Sequence, residues 1–419
     1  MAAVALGIDI GTSGVRAVAL DASGEQVAAS SSPFASAEET RKPSAWWSGV
    51  EFCLNELARK IPLDSIRGLA VDGTSGTVLA LDGGNAPIGD SLLYNDVCPD
   101  ADVVAAIANA APSSSPARGA SSALGKAIFL SRKAGAKRVV HQADWIAMQL
   151  GEGIVASDEN NALKTGYELA SESWPDWLES AGMDRALLPK VQRAGSVIGP
   201  VGALGRELGL PSTCQIFAGT TDGCASFLAT GASEIGDAVT ALGSTLVLKL
   251  ASDRQIDAPE FGIYSHRVGT MWLVGGASNT GGNVIRALLG DDRLEALTAE
   301  LDPATPTGLD YYPLVKPGER FPINDANHQP RLTPRPDNDA VFFQGILEGI
   351  AEVERLGFER LKSLGAPDLR SVRTVGGGAR NAAWQQIRQR KLGVPFLEAR
   401  SVDAAAGTAM LVLRNGAAS

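Results

Sequence analysis

The chain has 419 residues, 45% hydrophobic and 20% charged, with a formal net charge of −10. That length predicts about two domains with large cores, and the acidic balance argues against nucleic acid or an anionic membrane as the main partner. Four scattered cysteines (Cys53, Cys98, Cys214, Cys224) without a C-x-x-C pair, and three distant histidines (His141, His266, His328), argue against a zinc site or a His-based triad.

The N-terminus enters a strand at once, which leaves no room for a signal or transit peptide. No apolar run reaches the roughly 18 residues of a membrane helix, and a cytoplasmic protein with reduced thiols is the expectation. Leu6-Gly7-Ile8-Asp9-Ile10 runs into Gly11-Thr12-Ser13-Gly14, and a second strand returns to a turn at Asp21-Ala22-Ser23-Gly24. Glycines at 11 and 14 let main-chain N–H groups and the Thr12 and Ser13 hydroxyls face an anion. Asp9 sits where a carboxylate holds the water shell of a Mg²⁺ ion beside phosphates. The Gly-Lys-Ser/Thr of a P-loop is absent, and an ordinary glycine-containing hairpin is the alternative.

A helix is predicted from 43 to about 61, with Trp46, Trp47, Phe52 and Leu57 as apolar positions. A buried strand over 67–72 ends in Gly73-Thr74-Ser75-Gly76-Thr77, and another hydrophobic run closes on Leu92-Leu93-Tyr94-Asn95-Asp96. Residues 121–190 read as helical. A strand over 214–218 leads to the loop Gly219-Thr220-Thr221-Asp222-Gly223 and a helix of small residues. Residues 238–250 repeat the opening pattern as strand, Gly243-Ser244-Thr245 turn, strand. The two hairpins, at 11–13 and 243–245, suggest two related halves that clasp a polyphosphate, divided into residues 1–234 and 235–419. Farther on come a Gly-rich loop over 275–282 and an amphipathic helix over about 339–364. A strand into Gly376-Gly377-Gly378-Ala379-Arg380-Asn381 and an alanine-rich final helix complete the chain. The alternation predicts an α/β architecture with largely parallel sheets.

Phosphoryl transfer needs a held polyphosphate, a metal and a positioned acceptor. The hairpins and Asp9 supply the first two, and Asp222 is the candidate for the third. A lightly hindered carboxylate in a Gly-rich turn can accept a proton from a substrate hydroxyl; an Asx-turn or helix cap is the alternative. Gly376, Gly377 and Gly378 let a flat ring lie against backbone, with Asn381 as donor and acceptor for a purine edge. Phosphate binding at the helix N-terminus, or a mere tight turn, competes with that reading. Gly281 is a further nucleotide candidate. Thr74, Ser75 and Asp96 lie just beyond predicted strand ends, where open α/β sheets place ligands such as sugar hydroxyls. The tryptophans, the histidines and the 339–364 helix read as packing.

Together these stretches resemble the FGGY family of carbohydrate kinases, within the actin/hexokinase/heat-shock ATPase superfamily. The resemblance runs from Gly7-Ile8-Asp9-Ile10-Gly11-Thr12-Ser13 through Gly219-Thr220-Thr221-Asp222-Gly223 and Leu242-Gly243-Ser244-Thr245. It continues through Tyr312-Pro313-Leu314-Val315-Lys316-Pro317-Gly318-Glu319-Arg320-Phe321-Pro322 and Leu347-Glu348-Gly349-Ile350-Ala351 to Gly376-Gly377-Gly378-Ala379-Arg380-Asn381. It implies two RNase H-like domains with ATP and sugar in a cleft between them. Asp222 would be the catalytic base, and Asp9 and Thr12 would serve Mg²⁺ and the γ-phosphate. Gly11, Ser13, Gly243, Ser244 and Thr245 would hold phosphates, and Gly377 with Asn381 the adenosine. Asp9, Thr74, Ser75, Asp96 and Asp222 would contact the sugar, and the protein would be a monomer or homodimer. Two departures bear on the sugar. Bacterial xylulokinases usually carry a Gln-Met-His type of sequence where Gly73-Thr74-Ser75-Gly76-Thr77 stands, and an Arg after the Asn-Asp pair where Val97 and Cys98 stand. The short form is similar to the plant and cyanobacterial xylulose-kinase-like branch. This implies transfer of the ATP γ-phosphoryl group to O5 of D-ribulose, with D-xylulose as the close alternative. A non-catalytic nucleotide-dependent sugar sensor is the reading from another class.

Overall fold

The computed structural model describes residues 2–417 and divides into two compact units. The first holds the chain up to Ala229, residues 267–269, and the chain from Asp403 on; the second holds Thr230–His266 and Thr270–Val402. The division thus lies a few residues before the expected one near Ile235. It differs more at the other end, because the final helix belongs to the first unit.

In the first unit, β1 (Ala3–Ile10), β2 (Gly14–Asp21) and β3 (Gln26–Pro33) form an antiparallel meander. Helix α1 (Pro43–Lys60) starts on a proline at its first position, where no intrahelical N–H is lost. It buries Trp46, Val50, Leu54 and Leu57 but leaves Phe52 49% exposed. Strand β4 (Gly68–Gly73) follows, and then the antiparallel pair β5 (Val78–Leu81) and β6 (Arg138–His141). The helices here are α2 (Ala101–Ala110), α3 (Ala123–Ser131), α4 (Gln142–Leu150), α5 (Glu159–Leu163) and α6 (Trp177–Ser180). They alternate with the parallel pair β7 (Ala156–Asp158) and β8 (Lys190–Gln192). The all-helical expectation for 121–190 is corrected on this point: strands of three or four residues are too short for periodicity to separate them from helix. β9 (Val197–Pro200), α7 (Ala203–Glu207), β10 (Gln215–Thr221) and α8 (Asp222–Ala229) close the segment.

The main sheet has the order β3-β2-β1-β4-β10-β9. Its β1–β4 and β4–β10 pairs are parallel and the others antiparallel. The sheet is therefore mixed, not largely parallel, because short hairpin connections can join only antiparallel neighbours. In the second unit, β11 (Asp237–Leu242), β12 (Leu246–Ser252), β13 (Tyr264–Val268), β14 (Met271–Ser278) and β15 (Ser371–Val375) form a sheet of order β13-β14-β12-β11-β15. Its β11–β15 pair is parallel, and its β11–β12 and β12–β14 pairs are antiparallel. Gly275 and Gly276, expected in a loop, lie inside β14. A Cβ on Gly275 would come within 1.9 Å of the Leu248 carbonyl oxygen.

Helix α11 (Asp339–Ser363) packs on β12 and β14, and α9 (Gly282–Leu289), α10 (Leu294–Ala299) and α12 (Ala382–Leu392) pack against α11. The Asn338 side chain accepts from the Ala340 and Val341 N–H groups and so caps α11. That helix buries Phe342, Phe343, Ile346, Ile350 and Val353, the face expected from helical spacing.

The last helix, α13 (Ala404–Val412), shows why it joins the first unit. Its small residues let backbones meet. A Cβ on Gly7 of β1 would lie 1.9 Å from the Ala405 carbonyl oxygen, and one on Gly407 would lie 1.8 Å from that of Ala225 in α8. Larger side chains at these positions would push the helix off the sheet. Among the described residues, no helix is long and apolar enough to cross a membrane.

Candidate active site

In the first unit, three adjacent strands bring carboxylates to their C-terminal ends. Register pairs Asp9 of β1 with Asp72 of β4, and Asp72 with Thr220 of β10. Asp222 follows β10 directly as the first residue of α8. Open α/β sheets place ligands at such ends. Asp9 is 4% exposed. Burial, opposed by a hydrogen bond from Asp72 and reinforced by the Asp222 charge, pushes its pKa up to about 6. Arg16, 3.6 Å away, favours the charged form.

Asp72 is fully buried, and burial together with the Asp9 charge holds its pKa well above the ordinary range. The Thr408 hydroxyl donates to its Oδ2 at 2.5 Å, while Oδ1 meets no N–H or O–H donor. The side-chain hydrogen bond between the two carboxyls raises the pKa of Asp72 and lowers that of Asp9, so Asp72 is the donor and Asp9 the acceptor. The sequence reading did not assign Asp72. The signal was present: an apolar strand ending in Asp, as in Gly7-Ile8-Asp9. Asp222 accepts from the Gly223 N–H at 2.7 Å, a local turn bond that leaves the carboxylate half-buried.

Gly11, Thr12 and Ser13 form the expected turn, closed by Gly11 N–H to Gly14 carbonyl at 3.0 Å. The Thr12 and Ser13 side chains are exposed. In the 73–77 loop, expected to contact the sugar, most hydroxyls are turned to protein partners. Thr74 Oγ1 meets Thr77 Oγ1 at 2.6 Å, and the Thr74 N–H and Oγ1 both donate to Gln142 Oε1. Ser75 Oγ is buried without a partner, so of these hydroxyls it is the one uncommitted to protein.

Asp96 is clamped by Arg41, whose guanidinium donates to both carboxylate oxygens at 2.5 and 2.9 Å. The Leu93 N–H adds a third bond at 2.7 Å. The Arg41 contact, ahead of the other causes, holds the Asp96 carboxyl below its usual range. Fully buried Lys126 donates to the Leu93 and Tyr94 carbonyls at 2.6 and 3.2 Å, and burial lowers its pKa to about 8. Sequence reasoning passed over Arg41 and Lys126 because each reaches the 92–96 loop from a distant part of the chain.

In the second unit, a cavity of about 900 Å³ is lined by Gly243, Ser244, Gly282, Phe343, Leu347, Gly377, Gly378, Asn381 and Trp384, among others. Gly243 and Ser244 are exposed, Thr245 half-buried. Gly281 lies at φ +135°, a conformation L side chains rarely adopt, and its backbone presses on Thr245. Gly376, at φ +87°, packs against the Leu242 carbonyl, while Gly377 faces open space. Asn381 caps α12: its Oδ1 accepts from the Trp384 N–H at 2.9 Å, and its Nδ2 donates to Thr298 Oγ1 at 3.3 Å. Its side chain therefore has local partners as well as a place on the cavity wall.

The C-terminal-domain model of the FGGY family of carbohydrate kinases matches residues 238–415, and the N-terminal-domain model matches residues 4–106. The chain is 23% identical to a xylulose kinase of Escherichia coli, with 91% of this chain and 83% of the relative covered. It is 27% identical to a xylulose kinase of Streptomyces coelicolor, covering 93% and 83%. Among solved structures, a Brucella ovis protein described as a xyloylose kinase superposes with a TM-score of 0.87 at 23% identity, covering 98% of this chain and 90% of that one. That similarity gives the fold, mixed α/β in two domains, and the family models give the rest: the chain belongs to the FGGY family of carbohydrate kinases.

Proposed function

We propose that this carbohydrate kinase transfers the γ-phosphoryl group of ATP to O5 of a pentulose, D-ribulose before D-xylulose. The observation that carries the reading is the alignment of Asp9, Asp72 and Asp222 at the ends of β1, β4 and β10. Asp222, half-buried at the start of α8, accepts the proton of the attacking hydroxyl. The transition state of phosphoryl transfer is loose, so orientation of the hydroxyl matters more than a strong base.

The phosphates are assigned to the backbone and hydroxyls of 11–13 and 243–245, and the adenosine to the cavity walled by Gly377, Asn381 and Trp384. The residues suit Mg²⁺ held through water. Among the described residues no group of three or more His, Cys, Asp or Glu is arranged to hold a metal directly, and Mg²⁺ commonly keeps several waters. A carboxylate crowded like Asp9 gains from a nearby divalent cation, which when bound neutralises phosphate charge.

For the sugar, Ser75, Asp96 and Asp222 are the proposed contacts, with Thr74 shaping the loop from behind. Small residues at 73–77, and Val97 and Cys98 in place of an Arg after Asn95-Asp96, differ from the xylulokinase pattern, which supports D-ribulose. The xylulose kinases among the relatives keep D-xylulose as the second reading. The test is Mg²⁺-dependent ADP release with ATP alone, then with each pentulose. Strong stimulation by D-ribulose and little by D-xylulose is expected; the reverse order would transfer the assignment to xylulose. No stimulation by any sugar, with ATP bound, would favour a sensor.

A further inference from the structure

The segment Tyr312-Pro313-Leu314-Val315-Lys316-Pro317-Gly318-Glu319-Arg320 carries one acidic side chain, Glu319, which is 3% exposed. A buried carboxylate is tolerated only when its oxygens are satisfied, and here both are. Oε1 accepts from the Asn279 N–H at 2.7 Å and the Arg320 N–H at 2.8 Å. Oε2 accepts from the Ser278 hydroxyl at 2.6 Å and the Tyr312 hydroxyl at 2.9 Å. Reciprocal bonds complete the clasp: Asn279 Nδ2 donates to the Gly318 carbonyl and Arg320 Nε to Asn279 Oδ1.

What Glu319 grips is the end of β14, and that end is tied to the phosphate turn. The Thr280 N–H donates to Ser278 Oγ at 3.1 Å. The Leu246 N–H donates to the Thr280 carbonyl at 2.8 Å, the Gly282 N–H to the Gly243 carbonyl at 2.9 Å, and the Asn283 N–H to the Ser244 carbonyl at 3.0 Å. The chain of bonds runs from one carboxylate, through 278–283, to 243–246. We infer that Glu319 is a positioning residue for the nucleotide phosphates, fixing the 278–282 segment against which the Gly243-Ser244-Thr245 turn is held. The inference rests on the assignment of that turn to the phosphates.

Binding of Mg–ATP and of adenosine is compared by calorimetry on the full chain, for the wild type and for Gly243→Val, Glu319→Ala and Ser278→Ala. Glu319→Ala should weaken ATP about tenfold, the scale of a lost charged hydrogen bond, and leave adenosine within about twofold. Its KM for ATP should rise while that for the pentulose holds. Ser278→Ala removes one link and keeps the carboxylate, so it should act in the same sense by about threefold. Equal losses for ATP and adenosine, or unchanged ATP affinity, would overturn the inference. If Glu319→Ala does not fold, an unchanged ATP-to-adenosine ratio in Ser278→Ala overturns it alone. Unchanged ATP affinity in Gly243→Val would instead overturn the phosphate assignment beneath it.

Discussion

Two clusters of buried charge, one in each unit, are built in opposite ways. At the strand ends of the first, Asp9, Asp72 and Asp222 crowd together, and burial pushes Asp9 and Asp72 toward their protonated forms. The second unit holds a buried pair that is fully hydrogen-bonded. Glu354 and Arg388, each 1% exposed at the side chain, form a two-pronged pair at 2.6 and 2.7 Å, with Thr240 and Thr374 completing the network. The turn that faces the cavity carries no charged side chain. Repulsion left unresolved marks the place where chemistry is done; charge fully paired marks a scaffold.

Three experiments break or sharpen this contrast, in descending size. Arg388→Leu leaves Glu354 buried and unpaired, and should cost about 3–5 kcal/mol in denaturant unfolding. A loss under about 1 kcal/mol would mean the network is not a scaffold. Asp9→Asn should do the reverse at neutral pH. Folding raises the Asp9 pKa from 3.8 to about 6, so the folded state binds the proton more tightly. The resulting destabilisation is absent below about pH 4 and complete above about pH 6, with an upper size of about 3 kcal/mol. In chelator, the variant should be the more stable protein at pH 7.5 and lose that advantage by pH 4, while its activity is gone. Equal stability at both pH values would contradict the strain assigned to this site. Smallest, Arg41→Leu should raise the pentulose KM about tenfold and leave the ATP KM alone, because the Asp96 clamp lies wholly in the first unit. A shift in both constants would argue against a sugar-side role.

Local pattern carried much of this architecture. The hairpins at 11–13 and 243–245, α1, α11 and the strand before Asp222 follow from periodicity, glycine and hydroxyl placement, all of which act within a few residues. Short strands such as β6 to β8 did not show, since three or four residues fit either period. Asp9 and Asp222 were legible from their turns. Asp72 ends an apolar strand as Asp9 does, but its importance comes from lying beside Asp9 across a parallel pair, with β2, β3 and all of α1 between them in sequence. Arg41, Lys126 and Glu319 share that character: each acts on a loop it meets only after folding. The return of α13 to the first unit likewise depends on Gly7 and Gly407 matching backbones hundreds of residues apart, which no window of sequence contains.

The central claim is catalysis by the carboxylate that opens α8, and Asp222→Asn tests it most directly. Sugar phosphate formed and ATP bound would be measured on the same folded preparation. Pentulose phosphorylation should fall by about 10²–10⁴-fold with ATP affinity kept, since none of the groups assigned to the nucleotide is altered. Phosphorylation at the wild-type rate would contradict the assignment of Asp222 as the base.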